Sequence, residues 1–231
     1  MILRDKVVVI TGSSKGLGKA LAEAFIKEGS KVVVSSNNRR SIKTIAKEIG
    51  AFGVYADVTK EKDLTKLSHK VIKEFGTIDI WVNNAGLWLP KMPIEDLDMS
   101  LVRKIFEVNV IGVINGSRVA IREMKDNKSG TILNVISDSA LKDKPNISAS
   151  VYGASKWAVN GFSKAIRGEE TNISVLSIYP GAMKTEIFGE IRPDNFDNFM
   201  EPEYVVEKVI NNLKLDNPEV ELLIQKPDIK R

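Results

Sequence analysis

Runs of β-branched and aliphatic residues recur along the chain and alternate with longer stretches in which apolar positions return every three or four residues. The short runs, Lys6 to Ile10, Lys31 to Val34, Phe52 to Tyr55, Ile78 to Val82, Thr131 to Ile136, Ile173 to Ile178 and Glu221 to Ile224, read as strands. Between the first two, Leu21, Ala24, Phe25 and Glu28 share one face of a helix predicted over Leu17 to Glu28. Strands that are apolar almost throughout must be covered on both faces, and strands separated by helices are joined in parallel. The pattern predicts an α/β fold: a doubly wound parallel sheet of about seven strands with helices on both faces. No linker, repeat or low-complexity run interrupts it, so residues 1–231 read as one domain. The Pro/Asn/Asp-rich stretch from Arg192 to Asn198 reads as an insertion loop within it.

Composition fits this picture and narrows the chemistry. Hydrophobic residues make up 43% and charged residues 28%, enough for a sizeable core under a solvated surface. The formal net charge is +4, with basic residues scattered rather than blocked, a pattern suited to small anionic ligands and not to nucleic acid. Cysteine is absent, which excludes disulfides, cysteine nucleophiles and thiolate metal sites. The one histidine, His69, lies in a lysine-rich helical stretch and reads as a surface residue, so no metal site is expected. The opening MILRDKVVVI does not read as a secretory signal, and no apolar run is long enough to span a bilayer. A cytoplasmic protein without a membrane partner is expected.

The first strand runs into Thr11-Gly12-Ser13-Ser14-Lys15-Gly16-Leu17-Gly18 and then a helix, the context required of a phosphate-binding turn. Gly12 permits a tight turn, Gly16 lets the backbone approach a pyrophosphate, and Gly18 leaves room for helix to pack on sheet. Amides of Ser14 to Gly18 then face the anion at the helix N-terminus. The second strand ends Ser35-Ser36-Asn37-Asn38-Arg39-Arg40, with no carboxylate to hold a free ribose hydroxyl. Lys15, Ser36, Asn37 and Arg39 offer donors to a 2′-phosphate instead, which favours NADP(H) over NAD(H). Arg39 and Arg40 also fit the basic first turn of a solvated helix.

With these residues in view the chain resembles the short-chain dehydrogenase/reductase family over nearly its whole length. The glycine turn is followed by Asp57-Val58, Asn83-Asn84-Ala85-Gly86, Asn109, Ser137, Tyr152-Gly153-Ala154-Ser155-Lys156 and Pro180-Gly181, in the family's order. The resemblance implies a Rossmann fold and an NADP(H)-dependent oxidoreductase acting on a small carbonyl or alcohol. It sets Asp57 and Val58 beside the adenine, although Asp57 also fits a cap for the next helix. It gives Asn83, Ala85 and Gly86 a mixed role, lying against a ribose and steadying the sheet. Pro180 and Gly181 break the chain after the sixth strand, and Thr185 resembles a threonine that bonds the nicotinamide carboxamide.

Tyr152 and Lys156 stand four apart on a predicted helix and so share a face. A phenol titrates near ~10 and needs a neighbouring cation to ionise; lowering it by about three units takes on the order of 4 kcal/mol. By resemblance Tyr152 is the proton-transfer residue, Lys156 also binds the nicotinamide ribose, and Asn109 holds a water that links the lysine to solvent. A serine should hold the substrate oxygen. The strand register from Gly130 and Asn134 selects Ser137, whereas counting back from Tyr152 selects Ser139.

Around this centre Leu87, Trp88, Leu89, Leu141, Ile147, Met183, Ile187, Phe188, Phe196, Phe199 and Met200 would form an apolar pocket under a lid at about 186–201, or seal that lid on its own core. Asp138, Lys142 and Lys184 are the charged candidates for substrate contact. The resemblance implies a homo-oligomer, dimer or tetramer. The ending Glu221 to Pro227 lacks the glycine-rich turn that many members use for the tetramer, so the dimer through the helices of Asn109 and Tyr152 is expected. A non-catalytic NADP(H)-binding redox sensor on the same sheet is the competing reading.

Overall fold

The computed structural model describes residues 1–89, 92–141 and 149–227. Seven parallel strands form one sheet: β1 (Val7–Thr11), β2 (Lys31–Ser36), β3 (Phe52–Tyr55), β4 (Ile80–Asn83), β5 (Thr131–Val135), β6 (Ser174–Pro180) and β7 (Glu221–Ile224). Their spatial order is β3-β2-β1-β4-β5-β6-β7. The chain winds outward from β1 to β3 and then returns to the far side of β1 with β4. That reversal opens a crevice at the carboxyl ends of β1 and β4, where ligands of such sheets bind.

Among the described residues seven α-helices cover the sheet: α1 (Gly16–Lys27), α2 (Arg39–Ile49), α3 (Glu61–Phe75), α4 (Met99–Phe106), α5 (Gly112–Asn127), α6 (Ser150–Glu169) and α7 (Pro202–Lys214). Alternate residues of each strand serve opposite layers, as the pleat demands. Val8 and Ile10 pack with Leu21 and Phe25 of α1, Ile42 of α2 and Val209 of α7. Val7 and Val9 pack with Leu64 and Leu67 of α3, Val119 of α5 and Ile166 of α6. Every residue of β1, β4 and β5 is buried, which is why these strands read as apolar almost throughout.

Three strand starts lie later than the pattern predicts, and those of β1 and β4 do so for one reason. The Asp79 carboxylate accepts the Val7 amide (2.8 Å) and the Lys6 ammonium (2.9 Å). The β1–β4 ladder therefore opens at Val8 and Ile80 rather than at Lys6 and Ile78. Asn38 caps α2, its side-chain oxygen accepting the amides of Arg40 and Ser41 at 3.0 Å each. Gly50 and Gly76 close α2 and α3 in the left-handed conformation. By contrast, α1 has no side-chain cap and no acidic residue in its first turn.

Candidate active site

At the switch between β1 and β4 two turns interlock. The Thr11 hydroxyl accepts the amides of Asn84 (3.1 Å) and Ala85 (3.2 Å) and donates to the Val82 carbonyl (3.2 Å). Gly12 has φ +63°, and a Cβ there would lie 2.6 Å from Ala85 Cα, so only glycine lets the two turns touch. The Asn84 amide nitrogen donates to the carbonyls of Thr11 (2.9 Å) and Gly12 (3.1 Å). Gly18 makes room for that amide, for the Gly12 carbonyl and for Ser13 Cα, where any Cβ would clash. Thr11 and Asn84 were not singled out from the sequence, although Thr11 stands in the turn motif itself.

The uncapped start of α1 leaves its first amides free to meet an anion. The Leu17 side chain is buried in the core, so only its amide is available. Lys15 is extended and exposed ahead of the helix. Ser14 Oγ lies 3.4 Å from Ser36 Oγ, joining the turn to the end of β2. Asn37 is exposed there, and the Arg39 guanidinium lies 4.1 Å from the Tyr55 ring centre, turned toward the sheet edge. Gly16, at φ +55°, faces Thr185 and Glu186, so Thr185 sits against the phosphate turn.

Asp57 does not cap α3, whose N-cap is Lys60 without a side-chain bond. Its carboxylate accepts from the Thr59 amide (3.1 Å) and hydroxyl (2.8 Å), a turn within the connecting loop. Val58 is buried, and its carbonyl accepts from the Asn115 amide (3.0 Å). The Asn83 side chain points into the protein: it accepts from Trp81 Nε1 (2.9 Å) and donates to Ser117 (3.0 Å) and to Asn134 Oδ1 (2.8 Å). Its polar side-chain atoms thus serve the sheet, the steadying half of the mixed role that the resemblance implies. Ala85 and Gly86 remain at the crevice, with Gly86 near Asn109 and Lys156.

The second constellation stands at the ends of β4 to β6. Ser137 follows β5, and Tyr152 and Lys156 lie in the first two turns of α6. Ser137 stands close enough to the Tyr152 phenol to favour its ionised form. Ser139 donates to Ser137 from both its hydroxyl (3.0 Å) and its amide (3.2 Å), so it supports the first serine and is itself buried. Lys156 Nζ donates to the Val135 carbonyl (3.1 Å) and lies 5.7 Å from the Tyr152 ring centre. Burial pushes the phenol up to about 12; Ser137 pulls it down, and the Asp138 carboxylate pushes it further up. Burial also lowers the Lys156 ammonium to about 8. A low-dielectric site disfavours both charged forms, so the lysine does not ionise the phenol here.

Asn109 sits in a five-residue π-helical turn, Glu107–Ile111, between α4 and α5. Its amide nitrogen donates to the Leu87 carbonyl (2.9 Å) and the Ser155 hydroxyl (3.1 Å), and its oxygen accepts the Leu87 amide (2.8 Å). Both amide hydrogens are thus committed, and the side chain ties the Leu87 segment to Ser155. Ser155 in turn donates to the Tyr152 carbonyl (2.7 Å), so Asn109 joins the pocket wall to the catalytic helix. Pro180 ends β6, and the Gly181 amide donates to Ile224 (2.8 Å).

Of the apolar candidates, Phe188, Phe196 and Phe199 cluster with ring centres 5.7–5.9 Å apart, and Trp88 meets Phe188 at 4.9 Å. Met200 is buried with the core, and Ile187 is exposed. Lys184 pairs with Glu201 at 2.6 Å. Lys142 and Ile147 lie outside the described residues. Among the described residues no group of three or more His, Asp or Glu could hold a metal ion, and no helix is long and apolar enough to cross a membrane.

A family model, short chain dehydrogenase, matches residues 6–195. An uncharacterized oxidoreductase of Listeria monocytogenes is 34% identical over 83% of this chain and 79% of its own length. An alcohol dehydrogenase from Thermococcus sibiricus, solved with 5-hydroxy-NADP, superposes with a TM-score of 0.87 at 28% identity, covering 97% of this chain and 100% of that one. A 3-ketoacyl-(acyl-carrier-protein) reductase from Brucella melitensis, solved with NADH, also gives 0.87, at 30% identity over 96% and 97%.

Proposed function

This chain belongs to the short chain dehydrogenase family and is an oxidoreductase; from that premise we propose that it uses NADP(H) to reduce a small carbonyl compound, with Tyr152 delivering the proton. The observation that carries the reading is the Ser137–Tyr152–Lys156 cluster beside the uncapped glycine turn. The cofactor, when bound, supplies the hydride for the carbonyl carbon. Its pyrophosphate fits the α1 N-terminus, where Gly12 and Gly16 adopt positive φ and no side chain competes as a cap. At the end of β2 no carboxylate stands to repel a 2′-phosphate, and Ser36, Asn37 and Arg39 would receive it together with Lys15. Asp57 and Val58 would lie toward the adenine, and Ala85, Gly86, Pro180, Gly181 and Thr185 would line the cofactor's remaining length.

The Ser137 hydroxyl would hold the substrate oxygen while the Tyr152 phenol gives up its proton to it. At about 12 the phenol is protonated at neutral pH, the form a proton donor requires. Lys156, at about 8, is mostly protonated at pH 7, and its charge stabilises the phenolate left behind. Lys156 would also hold the nicotinamide ribose. Asn109 positions the helix of Tyr152 through Ser155, and its main chain at the π turn is the candidate for a water-borne proton route. Residues 1–231 act as one domain, with 186–201 as the lid. The dimer through the helices of Asn109 and Tyr152 is the assembly we propose.

The test follows NADPH absorbance against aldehydes, ketones, diketones and sugars, with Tyr152→Phe as control and NADH in parallel. Loss of turnover in Tyr152→Phe is expected. Persistent turnover in that variant refutes the mechanism, equal efficiency with NADH refutes the preference, and tight NADPH binding without turnover favours the redox sensor.

A further inference from the structure

The edge of the sheet opposite β7 carries a groove of whose residues the proposed reaction uses only Arg39. Among the described residues β3 pairs only with β2, so one side of Phe52–Tyr55 presents amides and carbonyls without a strand partner over about 13 Å at ~3.3 Å per residue. Two adjoining cavities of about 350 and 330 Å³ run along this edge, between α2 on one face of the sheet and α3 on the other. They share Arg39, Val54, Tyr55 and Lys70, and so form one groove.

The walls of the groove are cationic. Arg39 and Lys43 stand four apart on α2, and Lys66 and Lys70 four apart on α3, giving two short rails that flank the strand. The one carboxylate in the lining, Asp63, accepts the Asp57 amide at 3.3 Å. These charges give the lining a formal +3, against +4 for the whole chain. Among the described residues none of the four cations is ion-paired, whereas the nearby Lys60 and Lys19 pair with Asp57 and Glu48.

We propose that this groove binds an acidic, extended peptide segment of a partner protein by strand addition to β3. An added strand satisfies the free backbone groups of the edge, the usual source of affinity in this mode. Successive side chains of that strand point to opposite faces, so consecutive acidic residues would meet the α2 rail and the α3 rail in turn. A compact anion needs donors converging on one point, and here the cations are spread along two helices. Lysines beside an open edge also deter edge-to-edge pairing of identical chains, and a binding measurement separates that role from recognition.

The experiment is fluorescence anisotropy of the whole protein with a fluorescein-labelled peptide containing alternating Glu and Asp over six residues. Saturable binding is expected, weakened at least tenfold by the double change Lys66→Glu with Lys70→Glu and likewise by Lys43→Glu. Melting temperature and turnover should hold in these variants, since none of the three residues is placed in the reaction. The same peptide N-methylated at alternate residues should lose binding, because it cannot pair with the edge. The proposal is overturned if no saturable binding occurs or if the variants bind unchanged. It is equally overturned if the N-methylated peptide binds as tightly, or if tripolyphosphate or a single-stranded oligonucleotide competes as well at equal charge.

Discussion

Lys156 is 6% exposed, and its ammonium is lowered by burial from 10.5 to about 8. At ~1.36 kcal/mol per unit, keeping it charged at pH 7 costs the folded state roughly 3 kcal/mol. The sign follows from proton counts: between about pH 8 and 10.5 the unfolded chain binds more protons at this residue than the folded one does. Stability therefore rises with pH across that window as the penalty is relieved. In Lys156→Met the penalty is gone at every pH, and in its place the Val135 carbonyl loses its donor, a pH-independent cost of about 1–3 kcal/mol. Urea unfolding of both proteins at pH 7 and 9.5 isolates the titrating part. The stability of Lys156→Met relative to wild type should fall by roughly 2 kcal/mol over that range, which stays below the window where Tyr152 titrates. Turnover should fall at least ~100-fold, because the phenolate loses its stabilising charge. A stability difference that stays flat from pH 7 to 9.5 would show that the ammonium is not held against a burial penalty, and the account of the site would fail.

Ser137→Ala should lower turnover by about 10²–10³-fold, the usual cost of removing an oxyanion donor, while Ser139→Ala should stay within ~tenfold; steady-state rates showing the reverse order would exchange their roles. Ser36→Asp sets a carboxylate where a 2′-phosphate is expected, and should lower kcat/KM with NADPH by about tenfold or more while sparing NADH, a loss of ~1.4 kcal/mol or more. Unchanged discrimination would remove Ser36 from the cofactor site. Asn83→Ala should destabilise by about 1–3 kcal/mol through orphaned partners at Trp81, Ser117 and Asn134. A double-mutant cycle with Asn134→Ala should give a coupling of at least ~0.5 kcal/mol, and strict additivity would deny the network.

All seven strands were legible because a sheet covered on both faces requires apolar runs, and those runs are local. What failed to show in the pattern depends on approach between distant segments. Asp79 decides where β1 and β4 begin by capturing the Val7 amide, and nothing near Lys6 announces it. The glycine turn was legible from spacing alone, yet the partner of Gly18 is Asn84 from another loop. Asn109 could be placed by resemblance, whereas its side chain's commitment to Leu87 and Ser155 emerges only when three segments meet. Likewise the cations of α2 and α3 read as ordinary solvated helix faces until β3 is placed between them.

The buried pair Asn83 and Asn134 also bears on how the chain finds its fold. Strands made of interchangeable valines and isoleucines offer few cues against sliding past one another, and a slip of one residue reverses every side chain. These two asparagines face each other in the β4–β5 register, and Asn134 reaches on to Ser163 at 2.9 Å. A slipped pairing would bury several amide groups without partners at about 1–3 kcal/mol each. The network thus acts as an alignment mark that penalises misfolded sheets, and it brings the carboxyl ends of β4 and β5 level at the rim where the reaction is proposed to occur.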